Sequence, residues 1–329
     1  MSPITAAVIT FAGASFLQPL VINQLTRKSL LDAPSDRSSH TVPTPRGGGI
    51  AVMVGIVIGV LVASEKVAIS LLAGVVFAAG VGMLEDLRGV RIGPRLLLTT
   101  IAAIALLAAL ALQGLQPGFG GVVVVVIAVP WTLSVVNAVN FMDGINGISA
   151  ATAVVGGSAY SLFGWVADTP ALTIWGLVVA AGGLAFAPFN VPRARVFLGD
   201  VGSYGLGAAF AAMSLLAVSQ GLTFEAAIAP VALYLADTST TIVRRIQAGE
   251  RWYLPHKRHT YQRLVALGLS HVRVSAAVAM LTAVCAALGA VSLSGSALAR
   301  AAADVGVLFV LGGYLFSPRS IEGRRRLAG

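Results

Sequence analysis

The groups in this chain able to do chemistry fall into a few clusters. Glu85 and Asp86 are adjacent, within Gly-Met-Leu-Glu-Asp-Leu-Arg-Gly. Neighbouring carboxylates repel, which suits them to hold a divalent cation or raises one pKa enough for a base. A solvated helix end with Arg88 as counter-ion explains the pair equally well. Asn137, Asn140 and Asp143 recur at a spacing that keeps them near one helix face, and Asn146 follows between Gly144 and Gly147. Asparagines in a span can simply join helices, but polarity converging on an aspartate and a glycine-rich exit points to a ligand. Asp200 lies between two glycines in Phe-Leu-Gly-Asp-Val-Gly-Ser, free to reach a metal. Ser203 is the expected N-cap of the helix behind it, whose amides and dipole would face phosphate.

Three further stretches are polar. Asp237, Thr241 and Arg244 share a helix face by spacing, and Arg244 and Arg245 are within reach of an anion. His256, Lys257, Arg258 and His259 open a loop that continues Thr-Tyr-Gln-Arg; cations and imidazoles suit phosphate. Zinc is not expected there, because no thiolate and no helical histidine pair accompanies them. Residues 259–267 are expected to form a short interfacial helix with Tyr261, Leu264 and Val265 toward lipid. Near the N-terminus, Arg37, His40 and Arg46 precede Gly47-Gly48-Gly49, a basic glycine-rich helix entry able to approach an anion but lacking the Gly-Lys-Ser/Thr ending of a P-loop.

The elements that position these groups follow from composition. Of 329 residues, 57% are apolar and only 11% charged, against about 25% charged in a soluble domain, and mean hydropathy is +0.88. Eleven apolar runs, near 4–22, 47–64, 67–84, 96–113, 121–138, 147–165, 171–189, 204–220, 224–242, 273–293 and 300–316, approach the roughly 20 residues that cross a bilayer. Each is expected to be helical, since lipid satisfies no backbone amide. The fold class is therefore all-α: a polytopic integral membrane helical bundle of about 11 spans, one domain over 1–329. The lone cysteine, Cys285, lies in an apolar run and reads as packing.

The net charge of +9 resolves when sorted by side. Every Lys and Arg except Lys66 and Arg300 falls in segments 23–46, 85–95, 190–203, 243–273 and 317–329, on alternate ends of the spans. The positive-inside rule makes that side cytoplasmic, with the N-terminus outside and the C-terminus inside. The first run has no basic start and is expected to be a retained helix rather than a cleaved signal. Arg324-Arg325-Arg326 reads as a topology anchor on anionic lipid, not a nucleic-acid patch. All four histidines and most carboxylates share the basic side.

The ordered set Arg-x-x-His…Pro-x-Pro-Arg-Gly-Gly, the acidic pair, Asn-x-x-Asn-x-x-Asp-Gly-x-x-Gly, Phe-x-Gly-Asp-x-Gly-Ser and the His-rich loop resembles the polyprenyl-phosphate N-acetylhexosamine-1-phosphate transferases of bacterial membranes, glycosyltransferase family 4. The motifs run from about 32 to 263. They are most similar to the branch that initiates O-antigen and other surface glycans, because His256 and His259 are separated where the muramyl-pentapeptide branch has three consecutive histidines. Glu85 and Asn146 stand where the family usually has Asp.

The resemblance implies transfer of an N-acetylated sugar-1-phosphate from a UDP-sugar to undecaprenyl phosphate, with release of UMP, at the cytoplasmic face of the bacterial inner membrane. It implies Mg²⁺ (or Mn²⁺) on Asp200, and Glu85 or Asp86 holding or deprotonating the acceptor phosphate. Asn137, Asn140, Asp143 and Asn146 would position the nucleotide and diphosphate. His256, Lys257, Arg258 and His259 would contact phosphates, and Arg37, His40 and Arg46 would complete the donor pocket. Homodimers are common in the resembling family. A polyprenyl-lipid or nucleotide-sugar transporter is the alternative from another class, and predicts a polar path through the midplane and repeat symmetry; the polar residues instead crowd toward one side.

Overall fold

The computed structural model describes residues 1–32, 42–113, 119–251, 253 and 256–328. Helix dominates: α1 Pro3–Arg27, α2 Gly49–Ala63, α3 Lys66–Arg88, α4 Ile92–Leu112, α5 Phe119–Met142, α6 Ile148–Val166 and α7 Pro170–Asn190 are followed by α8 Gly199–Ser219. After these come α9 Phe224–Ile228, a 3₁₀ turn at Ala229–Val231, α10 Ala232–Gln247, α11 Thr260–Ala266, α12 His271–Ser292 and α13 Ala297–Ala328. The strands among the described residues are two short ones, β1 Leu31–Asp32 and β2 Thr44–Pro45, paired antiparallel with Leu31 opposite Pro45.

Each of the eleven expected apolar runs lies on a helix. Nine helical segments among the described residues are long and apolar enough to cross a membrane. The other two runs became α2, with 15 residues, and α6, with 19, whose apolar character is diluted by glycine and serine. One of the nine, Phe224–Gln247, is interrupted by the 3₁₀ turn. Pro230 sits there and, lacking an N–H, withholds one donor from the α-helical ladder at the break. The last helix continues through Pro318 to Ala328, well past its expected end. The side chains of Arg324, Arg325 and Arg326 lie outside the described residues.

At the centre stands α8. Every residue from Val201 to Ser219 is buried, surrounded by α2, α3, α4, α5, α6, α7 and α9. Helix packing in lipid relies on small residues that let backbones approach. Gly82 of α3 shows why: a Cβ there would coincide with the Asp200 carbonyl. Hydrogen bonds across helices add to packing, at about 0.6 kcal/mol each on average. Trp131 Nε1 donates to Ser214 Oγ at 2.6 Å, joining α5 to α8. Tyr160 Oη reaches the Ala227 carbonyl at 2.7 Å, and Trp175 Nε1 the Ala68 carbonyl at 3.1 Å.

Two local expectations are overturned. The short helix after His259 exists as α11, but Tyr261 and Leu264 are buried in the bundle, not turned to lipid. Tyr261 Oη donates to the Phe141 carbonyl at 2.9 Å, which pulls α11 onto the end of α5. Ser203 is not the N-cap of α8: the helix begins at Gly199, and Ser203 lies within it and accepts from Asn140.

Candidate active site

Four chain segments meet at one end of the bundle. They are the end of α3 with Asp86, the end of α5 with Asn140 and Asp143, the start of α8 with Asp200, and the β2–α2 connection with Arg46. The last of these is fixed by backbone bonds. Arg46 N donates to the Leu30 carbonyl at 3.1 Å, Phe197 N to Pro45 O at 2.8 Å, and Gly48 N and Gly49 N to the carbonyls of Phe197 and Leu198. The amides of the glycine-rich entry are therefore spent on the chain before α8, which leaves the Arg46 side chain as this segment's polar group at the site.

The positive end of α8 is likewise occupied. Asp200 N and Val201 N donate to Asp86 Oδ1 and Oδ2 at 3.0 and 2.9 Å. A carboxylate at a helix N-terminus takes up otherwise unpaired amides and complements the dipole. Gly199, at φ +77°, makes the turn into the helix, and a Cβ on it would stand 2.7 Å from Asp86 Oδ2. The adjacent carboxylates thus do different things. Asp86 clips α8 to α3 from behind the cavity, whereas Glu85 turns to Val90 N at 2.6 Å and Arg95 at 3.5 Å.

Arg46 ties the two aspartates together. Its Nε is 2.8 Å from Asp86 Oδ1 and its Nη2 2.7 Å from Asp200 Oδ1. Burial works against the guanidinium charge, but Asp200 and Asp86 outweigh it and raise the Arg46 pKa. Asn140 Nδ2 donates to the same Asp200 oxygen at 2.8 Å and to Ser203 Oγ at 3.0 Å. Asp200 Oδ2 accepts no hydrogen bond among the described residues.

In front of these groups opens a cavity of about 490 Å³, lined by Arg46, Asn140, Asp143, Asn146, Asp200 and Lys257 among the expected residues. Asp143, in the α5–α6 connection, accepts from Ser149 Oγ at 2.5 Å. Burial pushes its carboxyl up to about 7, against the opposing Ser149 bond. Asn146 is held by Nδ2 on the Pro192 carbonyl at 3.2 Å and by Ser275 Oγ on its own carbonyl at 2.8 Å.

Other expected residues do not line it. Asn137 Nδ2 bonds back to the Leu133 carbonyl of its own helix at 2.7 Å. His259 is buried with Nδ1 3.4 Å from Asp237 Oδ1, and Asp237 also accepts from Thr260 N at 2.9 Å and Tyr314 Oη at 2.7 Å. The His259 ring therefore anchors the loop to α10, and Tyr314 of α13 shares the same carboxylate. His256 packs 4.8 Å from it, ring to ring, and burial followed by His259, Arg245 and Arg258 lowers its pKa to about 4, so it is neutral at pH 7. Arg258 pairs with Glu250. Arg37 and His40 lie outside the described residues.

The cavity wall also includes Asn190 and Gln262, neither of them among the expected site residues. Asn190 Oδ1 accepts from Gly147 N at 2.6 Å and its Nδ2 donates to the Val196 carbonyl at 3.0 Å, bridging the two cavity loops. Its signal was present: an amide in the last turn of an otherwise apolar helix, just before Pro192. Gln262 lies in the first turn of α11, just after the His-rich loop, and its Oε1 accepts from His259 N at 3.3 Å.

Among the described residues no three His, Cys, Asp or Glu side chains converge as a metal cage. Mg²⁺ needs none: it binds through one or two carboxylates plus water and substrate phosphate. Asp200, with one oxygen fixed by Arg46 and Asn140 and the other without a donor, fits that requirement.

Residues 68–218 match the sequence family described as Glycosyl transferase family 4, a stretch holding Asp86, Asn140, Asp143 and Asp200. A probable undecaprenyl-phosphate N-acetylglucosaminyl 1-phosphate transferase of Bacillus subtilis is 27% identical, over 82% of this chain and 78% of the relative. A decaprenyl-phosphate N-acetylglucosaminephosphotransferase of Mycobacterium tuberculosis is 30% identical, over 82% of this chain and 76% of the relative. A phospho-N-acetylmuramoyl-pentapeptide-transferase of Staphylococcus haemolyticus is 32% identical over only 27% of this chain and 30% of its own. The chain belongs to glycosyl transferase family 4, as a multi-pass helical membrane protein similar over most of its length to the polyprenyl-phosphate N-acetylhexosamine-1-phosphate transferases.

Proposed function

We propose that the protein transfers an N-acetylated hexosamine-1-phosphate from a UDP-sugar to undecaprenyl phosphate, releasing UMP and leaving a lipid diphosphate sugar that starts a cell-envelope glycan such as O-antigen. The observation that carries the reading is the convergence of Asp200, Arg46, Asn140 and Asp143 on one cavity at the end of an apolar bundle. A lipid acceptor needs the bundle, and a soluble nucleotide needs a polar opening at its end. The relatives named for N-acetylglucosamine match most of the chain, whereas the muramoyl-pentapeptide relative matches a short piece.

Attack of one phosphate on another calls mainly for positioning and charge neutralisation. Asp200 would hold Mg²⁺, which when bound offsets the negative charge of the phosphates. Asn140 and Arg46 keep the Asp200 carboxylate in place. Arg46 and Lys257 add positive charge at the cavity wall. Asp143 is the group suited to accept a proton from the acceptor phosphate, because its buried carboxyl ionises near neutrality. Asp86 acts through α8 as a positioning residue. Glu85, turned toward Val90 and Arg95, supports the α3–α4 turn. His256, Arg258 and His259 shape the loop that carries Lys257 and leads into α11 with Gln262.

The charge distribution supports an inner-membrane orientation with this cavity and the C-terminus in the cytoplasm and the N-terminus outside. The test uses membranes holding the protein, undecaprenyl phosphate, Mg²⁺ and UDP-N-acetylglucosamine or its epimers, with mass analysis of the lipid product. UMP release with a lipid-linked sugar is expected, and Asp200→Asn abolishes it. Absence of product with every UDP-sugar overturns the reading.

A further inference from the structure

The start of α12 reaches the wall of the transfer cavity without lining it. Ser270 caps this helix by accepting from Arg273 N at 3.3 Å, which makes His271 its first residue. His271 and Ser275 are one turn apart and share a helix face. That face meets the α5–α6 connection. His271 Nδ1 is 3.3 Å from Asn146 N, and Ser275 Oγ donates to the Asn146 carbonyl at 2.8 Å. An amide N–H can only donate, so Nδ1 accepts and the neutral ring carries its proton on Nε2. One residue on, Gly147 N donates to Asn190 Oδ1 of α7 at 2.6 Å.

Three successive backbone groups, Asn146 N, Asn146 O and Gly147 N, are therefore satisfied by side chains of two other helices. Gly144 and Gly147, on either side of Asn146, restrict the backbone little. The direction of Asn146 comes from these bonds. Its side chain depends on that direction: Nδ2 donates to the Pro192 carbonyl at 3.2 Å, which leaves Oδ1 with no donor among the described residues. Asn146 lines the cavity, whereas His271 and Ser275 do not. Any effect of either on a substrate must pass through Asn146. Asp200 is held by a separate set, Arg46 and Asn140, so the metal end of the cavity does not lean on α12.

We propose that His271 and Ser275 are positioning residues for donor binding: they aim Asn146 Oδ1 at a hydrogen-bond donor of the nucleotide sugar. The inference rests on the transferase reading. It assigns part of the donor affinity to a helix outside the family-matched stretch 68–218.

The test uses membranes holding the full chain, with initial rates measured over UDP-sugar concentration at saturating undecaprenyl phosphate and Mg²⁺. His271→Ala should raise the KM for UDP-sugar about fivefold, the factor for one neutral hydrogen bond. The kcat and the KM for undecaprenyl phosphate should stay unchanged, as for lost ground-state binding. His271→Asn should restore most of the loss, because its Oδ1 can stand in for Nδ1 as acceptor. Val274→Ala removes buried volume from the same turn; it should lower the thermal midpoint and leave the KM alone. If His271→Ala does not fold, Ser275→Ala supplies the same comparison. Wild-type turnover with an unchanged KM in the folded variant overturns the proposal, as does a loss confined to kcat. An equal rise in KM for Val274→Ala, or no recovery in His271→Asn, also overturns it. Wild-type membranes that turn over no UDP-sugar overturn the transferase reading itself, and this inference with it.

Discussion

Replacing Asp86 by Asn removes the charge that accepts two amides at the start of α8 and the Arg46 Nε, at 3.0, 2.9 and 2.8 Å. A hydrogen bond to a charged group contributes about 1.5–3 kcal/mol. Asn keeps one acceptor oxygen, but its NH₂ must then face either an amide N–H or the guanidinium, donor against donor. The net loss is about 3 kcal/mol, and if it is felt where Asp200 must sit, turnover falls about 10²-fold. Glu85→Gln is the matched control. Glu85 accepts one amide in the α3–α4 turn and meets Arg95 at 3.5 Å, so turnover should change by less than about fivefold. The assay is formation of lipid-linked sugar in membranes with saturating metal, with both variants at equal folded abundance. The Asp86→Asn loss should fall on kcat, because Asp86 does not line the cavity. If Glu85→Gln is as damaging as Asp86→Asn, the division of labour within the acidic pair is wrong.

Asp143, with its carboxyl at about 7, is protonated below that pH and able to take a proton only above it. Wild-type kcat/KM should rise about tenfold per unit up to about pH 7 and then level, and Asp143→Asn should give a low profile without that limb. The folded state holds this proton more tightly than an unfolded chain, so the stability it contributes is full below about pH 4, falls as pH rises to about 7, where the folded carboxyl also ionises, and levels above that, which thermal unfolding across pH would show. Asn140→Ala leaves Asp200 oriented by Arg46 alone, and the Mg²⁺ concentration for half-maximal activity should rise several-fold. Asp237→Ala orphans Thr260 N and Tyr314 Oη in a buried site; at about 1–3 kcal/mol per unpaired group it should lower the thermal midpoint measurably.

Helix placement was legible because lipid imposes one length and one backbone solution on each apolar run. The exceptions have local causes: α10 breaks from α9 at Pro230, and α13 runs on as helix through its polar end. Asn140, Asp143 and Asp200 were legible because a polar group at the end of an apolar span demands a reason. Their neighbours were not. Spacing put Asn137 on the same face as Asn140, yet one turn of helix is enough to leave it bonding its own backbone. Adjacency made Glu85 and Asp86 look like a pair, but successive residues on a helix point in different directions. His256 and His259 looked alike beside Lys257; only the buried Asp237, 22 residues from His259, shows that His259 is an anchor. Tyr261 read as a lipid-facing ring because its partner, the Phe141 carbonyl, is a backbone atom that sequence pattern does not mark.

The burial of α8 bears on how the protein is made. Of the helices that surround it, α2 to α7 precede it in the chain and only α9 follows. Synthesis from the N-terminus therefore produces most of the walls before the helix that fills them. Left against lipid, α8 would present Asp200, Ser203 and a row of glycines to hydrocarbon with little to hold them. Placed among its neighbours, it meets Asp86, Arg46 and Asn140 as soon as it docks. Docking of α8 and the meeting of Asp200 with Asp86, Arg46 and Asn140 are then one event, and a chain truncated before Gly199 would lack both.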